Sequence, residues 1–162
     1  MPETLDVASL IPNKFEPKRQ NRWVLAIEGI DAFLCKTAKR PSISFNETTI
    51  EYINSRRYLA GKADLGTLDV TIHDPIGPSG AQQVMEWIRT HYESVSGRAG
   101  YADFYKRNIQ LKLLDPVGTV VEFWDIKGAF LTSADFGSLD YGADDPTEIS
   151  LSMRFDNCVL QY

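Results

Sequence analysis

The stretch EISLSMRFD, residues 148–156, alternates polar and apolar side chains along its whole length. The stretch TLDVTIHD, residues 67–74, has the same period of two. Successive side chains of a β-strand point to opposite faces of its sheet, so this period is typical of a strand with one buried and one exposed face. These two segments decide the fold class, because they predict a protein built mainly of half-buried strands.

Strand-like segments continue on both sides of these stretches. They lie at residues 23–28, 33–38, 43–45, 50–53, 109–113 and 119–131. Pro41 interrupts the series, because proline cannot donate a hydrogen bond to a sheet ladder. Residues 115–118, DPVG, have proline and glycine at the positions that a β-turn favours, and they predict a hairpin between the last two segments.

One segment has the period of a helix instead. Between residues 80 and 95 the apolar side chains fall on one helical face, at Ala81, Val84, Met85, Ile88 and Tyr92. Ser79 and Gln82 have the spacing of an N-terminal capping box. We therefore predict one amphipathic helix, ended by Gly97 and Gly100.

The order of the segments is strands, then one helix, then strands. A doubly wound parallel sheet would alternate strands with helices, so this order favours an antiparallel β-sandwich or barrel with one flanking helix. Residues 1–20 are polar and contain three prolines, and we interpret them as an N-terminal arm. Residues 21–162 then form a single domain.

Residues 54–66, NSRRYLAGKADLG, have no clear period, three basic side chains and two glycines. They predict a long loop, and long loops in compact domains are often functional.

Composition limits the classes of function. The chain has 162 residues and a net charge of −5, which does not favour binding to nucleic acid phosphates. It has no apolar run long enough to span a membrane and no secretory signal, so we expect it to be made in a cytoplasm. The two cysteines, Cys35 and Cys158, are far apart in sequence and predict neither a disulfide framework nor a metal site.

The charges are unevenly distributed along the chain. Most basic residues come before Leu65, whereas the last third is rich in Asp and Glu. One interpretation is that neighbouring copies are complementary in charge, and the other is a scattered, solvated surface.

The sequence contains little that predicts catalysis. The two histidines, His73 and His91, belong to no metal-binding motif, and no serine lies in a nucleophile elbow. Asp144 and Asp145 are adjacent but lack the pattern of a calcium loop. We therefore predict no enzyme activity, no metal and no cofactor, and a role in binding or assembly.

Taken in order, the segments resemble the tail tube proteins of contractile-tailed phages and related injection systems. The similarity covers about residues 21–160. It rests on the order and spacing of residues 21–29 (NRWVLAIEG), 33–43, 51–61, 67–74, 83–88, 125–130 and 148–155.

The resemblance implies a structural protein that forms stacked six-fold rings. Strands of the subunits would join a continuous β-barrel around a channel, with the helix outside. It implies the inner tail tube of a virion, assembled in the host cytoplasm and used for genome ejection. The implied partners are further copies, the sheath, baseplate and tail-terminator proteins, a tape-measure protein in the channel, and DNA that passes without specific binding.

The resemblance also implies roles for particular residues. The contact between subunits and rings falls on Asn54, Ser55, Arg56, Arg57, Tyr58, Leu59, Ala60 and Gly61. An acidic channel wall would repel DNA phosphates, and Asp69, Glu122 and Glu148 are expected to face the channel because they alternate with buried strand positions. An outward orientation of these three carboxylates is the alternative.

Other functions remain open at this level. The chain fits the tube of a tailocin or of an extracellular contractile injection system, or a terminator or baseplate ring. A small enzyme or ligand-binding barrel is a third class, and it predicts a pocket with convergent polar groups.

Overall fold

The computed structural model describes residues 14–162 together with residues 10 and 12. Within them the chain forms nine β-strands and two α-helices. The strands are β1 (Trp23–Ile27), β2 (Cys35–Ala38), β3 (Ile43–Tyr52), β4 (Ser55–Leu65), β5 (Leu68–His73), β6 (Arg107–Leu114), β7 (Val120–Asp135), β8 (Glu148–Arg154) and β9 (Asn157–Leu160). The helices are α1 (Gly80–His91) and α2 (Ala102–Tyr105), and a 3-10 helix, Ala32–Leu34, precedes β2.

Two antiparallel sheets share the long strand β7. The back sheet consists of β1, β6, the first part of β7, and β9. The front sheet has the order β2, β5, β8 and the last part of β7. The predicted antiparallel β architecture is therefore confirmed, and the two sheets do not close into a barrel within one subunit.

Gly128 lies where β7 passes from one sheet to the other. Its φ is +68°, a conformation that glycine adopts without steric cost. A Cβ at this position would lie 2.2 Å from Asp156 Oδ2. The residue therefore permits both the bend of β7 and the close approach of the chain that leads into β9.

The core lies between the two sheets and is closed by α1. Strands β5 and β8 bury every second residue, as their sequences predicted. Helix α1 begins at the predicted cap, where the Ser79 hydroxyl accepts a hydrogen bond from Gln82 N at 3.4 Å. It ends earlier than predicted, at His91. Trp87 anchors it, because its ring is 1% exposed and its Nε1 donates to Tyr105 O at 2.7 Å.

The predicted loop at residues 54–66 is wrong. These residues form most of β4, which pairs with β3 from Ile43↔Leu65 to Tyr52↔Ser55 in a separate two-stranded sheet. We call β3, β4 and their turn the hairpin. Apart from Leu65, every residue of its two strands is exposed, so neither face imposes the alternation that marks a half-buried strand.

The N-terminal arm was predicted for residues 1–20. Residues 1–9, 11 and 13 lie outside the described residues. Residues 14–22 are in no strand or helix and pass beside the base of the hairpin, where Lys18 and Arg40 contact the same carboxylate.

Candidate assembly surfaces

The hairpin carries many exposed apolar side chains. Seven of its large apolar side chains are exposed: Ile43, Phe45, Ile50, Tyr52, Ile53, Tyr58 and Leu59. Tyr58 and Leu59 are successive strand residues, so they point to opposite faces, and they are 62% and 53% exposed. Both faces of the hairpin therefore present apolar surface to solvent.

The contacts of the hairpin with the body that we identify lie at its base. Gly66 N donates to Ser42 O at 3.1 Å, which brings the two chain ends of the hairpin together. Arg154 forms an ion pair with Asp64 at 3.6 Å. An isolated two-stranded hairpin is at best marginally stable in water, so a hairpin of this length with apolar faces is typical of a surface that becomes covered in an assembly.

The front sheet has two open edges. Strand β2 is the terminal strand on one side. On the other side, residues 130–135 of β7 pair with β8 alone among the described strands, because β6 and β9 pair with earlier residues of β7. Unpaired strand edges template pairing with another chain, and soluble proteins normally protect them.

The outer face of the front sheet is polar and free of large side chains at its centre. It presents hydroxyl and carboxylate groups from all four strands: Thr37, Asp69, Thr71, Ser133, Asp135, Ser150 and Ser152. We call this set the polar face. Its two carboxylates, Asp69 and Asp135, are exposed and form no ion pair with any described residue.

The three carboxylates predicted to face the channel have different positions. Asp69 belongs to the polar face. Glu148 lies on the same side at the end of β8, because it pairs with His73 in register, and it forms an ion pair with Lys36. Glu122 differs from the expectation of an exposed carboxylate. It lies on the buried face of β7 and is 4% exposed.

Glu122 binds two basic residues that are distant in sequence. Its carboxylate accepts hydrogen bonds from Lys18 Nζ, from Arg40 Nη1 at 3.3 Å and from Trp124 Nε1 at 2.5 Å. Burial alone would raise the pKa of Glu122, but the hydrogen bonds from Lys18, Trp124 and Arg40 and the charge of Lys18 together lower it. The charged carboxylate therefore ties the arm and the base of the hairpin to β7.

The described residues contain no constellation that indicates catalysis. No group of three or more potential metal ligands is found among them. Burial raises the pKa of the Cys35 thiol to about 11 and also raises that of Cys158, so neither is a reactive thiolate at neutral pH. Neither helix of the described chain is long and apolar enough to cross a membrane.

Sequence reasoning predicted a contact segment at Arg56, Arg57 and their neighbours, and this role stays a prediction. It did not predict their pairing with β3. It also missed Asp135, whose place on the polar face follows from its register with Ser150. The alternation at the start of β8 was the one available signal for that register.

The fold is shared with solved structures of tube proteins. A chain of the sheath–tube complex of an extracellular contractile injection system, PVC, in its extended state is 15% identical, with a TM-score of 0.71 over 98% of this chain and 99% of that one. The tube-terminating cap of the anti-feeding prophage is 16% identical, with a TM-score of 0.76 over 97% and 99%. The SPP1 tail tube is 12% identical, with a TM-score of 0.57 over 89% and 78%.

No family model matches the sequence. No curated protein sequence matches it either. The similarity is therefore one of structure, at sequence identities that define the fold alone. The chain has the fold of the tube and terminator proteins of contractile injection systems and of a phage tail tube, as the resemblance predicted.

Proposed function

We propose that this protein is a structural tube subunit that polymerises as stacked six-fold rings inside a contractile tail or injection device. One observation carries the proposal: an exposed hairpin with apolar side chains on both faces projects from a front sheet whose two edges are open. In a monomer these surfaces stay exposed to solvent, whereas a ring covers the hairpin and both strand edges.

The open edges fit each other. Strands β2, β5, β8 and the end of β7 alternate in direction across the front sheet. With four antiparallel strands per copy, residues 130–135 of one copy run antiparallel to β2 of the next. Repetition of this contact around an axis closes a barrel without edges, and the polar face then lines the channel.

The hairpin supplies the second contact in this proposal. The contact residues implied by the resemblance, 54–61, comprise the end of the turn and the first part of β4, and include the exposed Tyr58 and Leu59. Covering such side chains contributes roughly 25 cal/mol for each Å² of apolar surface removed from water. The hairpin would therefore bind neighbouring copies in its own ring and in the next one.

The further partners follow from the structural neighbours, which include a sheath–tube complex and a tube-terminating cap. We propose that the tube binds a sheath on its outside, a baseplate at one end and a terminator at the other. A particle that carries this tube, either a virion or an injection system, is its location. A tape-measure protein during assembly and DNA or another cargo during ejection would occupy the channel.

A terminating ring is the second candidate function. Two of the neighbours with the higher TM-scores, 0.76 and 0.74, come from a tube-terminating cap and from a sheath/tube terminator structure. A terminator forms one ring and stops, whereas a tube subunit stacks without limit. Electron microscopy over a range of protein concentrations separates them, because tubes lengthen with concentration and a terminator stays a single ring.

Excision of the hairpin tests the proposed function. Because Gly66 N already bonds to Ser42 O, residues 43–65 can be replaced by two glycines without stretching the body. We expect a folded subunit with an unchanged circular dichroism spectrum of the body and no tubes in electron micrographs. The matched control keeps the hairpin but changes its turn, with Ile53→Asn and Asn54→Gly, and it should still form tubes.

The result can contradict the proposal in two ways. If the excised variant forms normal tubes, the hairpin is not an assembly contact. If the unaltered protein stays monomeric at every concentration, the tube function itself is wrong.

A further inference from the structure

A cavity of about 410 Å³ lies between β2 and the back sheet, beside the segment that precedes β1. Its volume is within the range of sites that bind small molecules. Ten residues line it: Lys18, Arg19, Gln20, Trp23, Lys36, Thr37, Ala38, Arg40, Leu111 and Leu113. We call it the basic cavity, because four of these residues are cations.

The floor of the basic cavity is apolar. Leu111 and Leu113 of β6 are buried members of the core. Trp23 pairs with Leu113 in register and is partly buried against the same core. Ala38 packs against the core from β2. An apolar group placed on this floor leaves water, which is favourable in proportion to the area covered.

The walls of the cavity are positively charged. No described lining residue is acidic. Two carboxylates outside the lining neutralise part of the charge, because Glu122 pairs with Lys18 and Arg40, and Glu148 pairs with Lys36. Four cations and two carboxylates leave an excess of two positive charges, in a chain whose net charge is −5. The cavity therefore favours an anion.

Two of the cations share one carboxylate. Glu122 accepts hydrogen bonds from Lys18 Nζ and from Arg40 Nη1, the latter at 3.3 Å. One negative charge therefore faces two positive ones. An ammonium group has three donors and a guanidinium group has five, so both side chains keep donors for a second anion. An anion in the cavity would supply the second negative charge.

Arg19 adds an anion-binding group that the subunit does not use. Arg22 N donates to Arg19 O at 3.4 Å in a turn before β1, and Leu114 N donates to Arg22 O at 2.9 Å. These bonds fix the turn beside β6. The Arg19 side chain is exposed and forms no ion pair with any described residue. A guanidinium binds a carboxylate or a phosphate through two parallel hydrogen bonds.

We propose that the basic cavity binds an amphipathic organic anion, with its carboxylate or phosphate head on Lys18, Arg19 and Arg40 and its apolar body on the floor. The volume limits the ligand to roughly a dozen non-hydrogen atoms, at about 30 Å³ for each, which is the share of a water molecule in the liquid. One subunit supplies the whole site. The inference therefore goes beyond the proposed tube function and does not depend on it.

The bound anion would act on the same segments as Glu122. Lys18 belongs to the arm, and Arg40 precedes the hairpin. A second negative charge between them holds both segments more firmly to the body. Cleavage by trypsin after Lys18 and Arg19 should therefore slow when the ligand is bound.

Isothermal titration calorimetry with octanoate, which fits within the size limit, tests the site. We expect saturable binding with a Kd of about 1 mM or lower. Acetate has the head without the body, and octanol has the body without the charge, so each should bind at least about tenfold more weakly. Octyl phosphate distinguishes the two heads, since tighter binding than octanoate indicates a phosphate ligand and weaker binding a carboxylate ligand.

Variants of Arg19 test the position of the head. Arg19→Gln should raise the Kd for octanoate at least about fivefold, whereas Arg19→Lys retains the charge and should stay within about twofold. The matched control, Arg89→Gln, makes the same change of net charge on the exposed face of α1 and should leave the Kd within about twofold. Circular dichroism checks that all three variants fold.

Three results would overturn the site. If neither octanoate nor octyl phosphate binds up to about 5 mM, the cavity holds no ligand of this class. Octanol that binds as tightly as octanoate would show an apolar crevice without anion recognition. Equal affinity of Arg19→Gln and the original protein would place the ligand elsewhere. None of these results bears on tube formation, which excision of the hairpin tests separately.

Discussion

Glu122 is a carboxylate that the fold keeps inside the protein. It is 4% exposed and accepts hydrogen bonds from Lys18, Arg40 and Trp124. A buried charge is tolerated when partners of opposite charge satisfy it. Because Lys18 belongs to the arm and Arg40 precedes the hairpin, this single side chain sets where two separate segments leave the body. It is a positioning residue for the assembly surfaces.

Glu122→Gln should lower the free energy of unfolding by about 1–2 kcal/mol at pH 7, because a neutral amide cannot satisfy two cations. It should also speed tryptic cleavage in residues 18–22. The matched control, Glu16→Gln, removes an exposed partner of Arg22 at 3.8 Å and should change stability by less than about 0.5 kcal/mol. Urea unfolding and limited proteolysis measure the two effects.

The pH dependence follows from the lowered pKa of Glu122. A folded-state pKa below the unfolded value contributes stability that is present above the unfolded pKa and is lost as pH falls through the folded pKa. The difference between the original protein and Glu122→Gln should therefore shrink from about pH 4 downwards. An equal difference at pH 7 and pH 3 would contradict the ion-pair explanation.

At the scale of elements, β7 decides the architecture, because one strand belongs to both sheets. Its change of sheet occurs at Gly128, with φ of +68° and Asp156 next to the position of a Cβ. Lys106 holds Asp156 in place through an ion pair of 2.6 Å. The bend therefore depends on the absence of a side chain and not on a proline or a bulge alone.

Gly128→Ala should destabilise the subunit by about 1–2 kcal/mol because alanine is strained in the left-handed backbone conformation. The clash of the new Cβ with Asp156 should add to this loss. Gly118→Ala is the matched control, because Gly118 has φ of +93° but no heavy atom near the position of its Cβ. Thermal or urea unfolding should rank Gly128→Ala clearly below Gly118→Ala. Equal losses would mean that backbone conformation alone matters at residue 128.

The elements also show what sequence could predict. Strands β5 and β8 were predictable because the core covers one face and solvent the other, which imposes alternation. Strand β4 was not predictable, because both of its faces are exposed and neither requires an apolar residue at every second position. The prediction for Glu122 had a related cause: its neighbours Val121 and Phe123 are apolar, so alternation placed the carboxylate on the exposed face of its strand, where it was expected to face the channel.

At the scale of the whole molecule, the fold converts a difference along the chain into a difference in space. The sequence left open whether its basic and acidic regions form surfaces or are scattered. The structure places three basic side chains of the hairpin beside three acidic ones, and it brings acidic side chains of residues 29–34, 74–79 and 136–147 to the opposite end of the front sheet. The sequence could not predict this, because the first and the last of these connections are more than a hundred residues apart.

The third surface of the molecule is the polar face, which lines the channel of the proposed tube. A wall with carboxylates and short hydroxyl side chains lets an anionic polymer slide, because it offers repulsion and no cationic partner. Asp69 and Asp135 carry its charge. Their side chains point out of the sheet face and do not take part in the backbone pairing of the strand edges, so changing them should leave polymerisation intact.

Tubes of a variant with Asp69→Lys and Asp135→Lys should therefore retain DNA inside. We would polymerise the subunit with short single-stranded DNA, digest with nuclease, sediment the tubes and measure the protected DNA, which should be released as salt is raised. A control with Glu86→Lys and Asp103→Lys has the same net charge but places the lysines on α1 and α2, outside the channel, so nuclease should remove any DNA it binds. Equal protection in both variants, or none in the first, would show that the polar face does not line the channel.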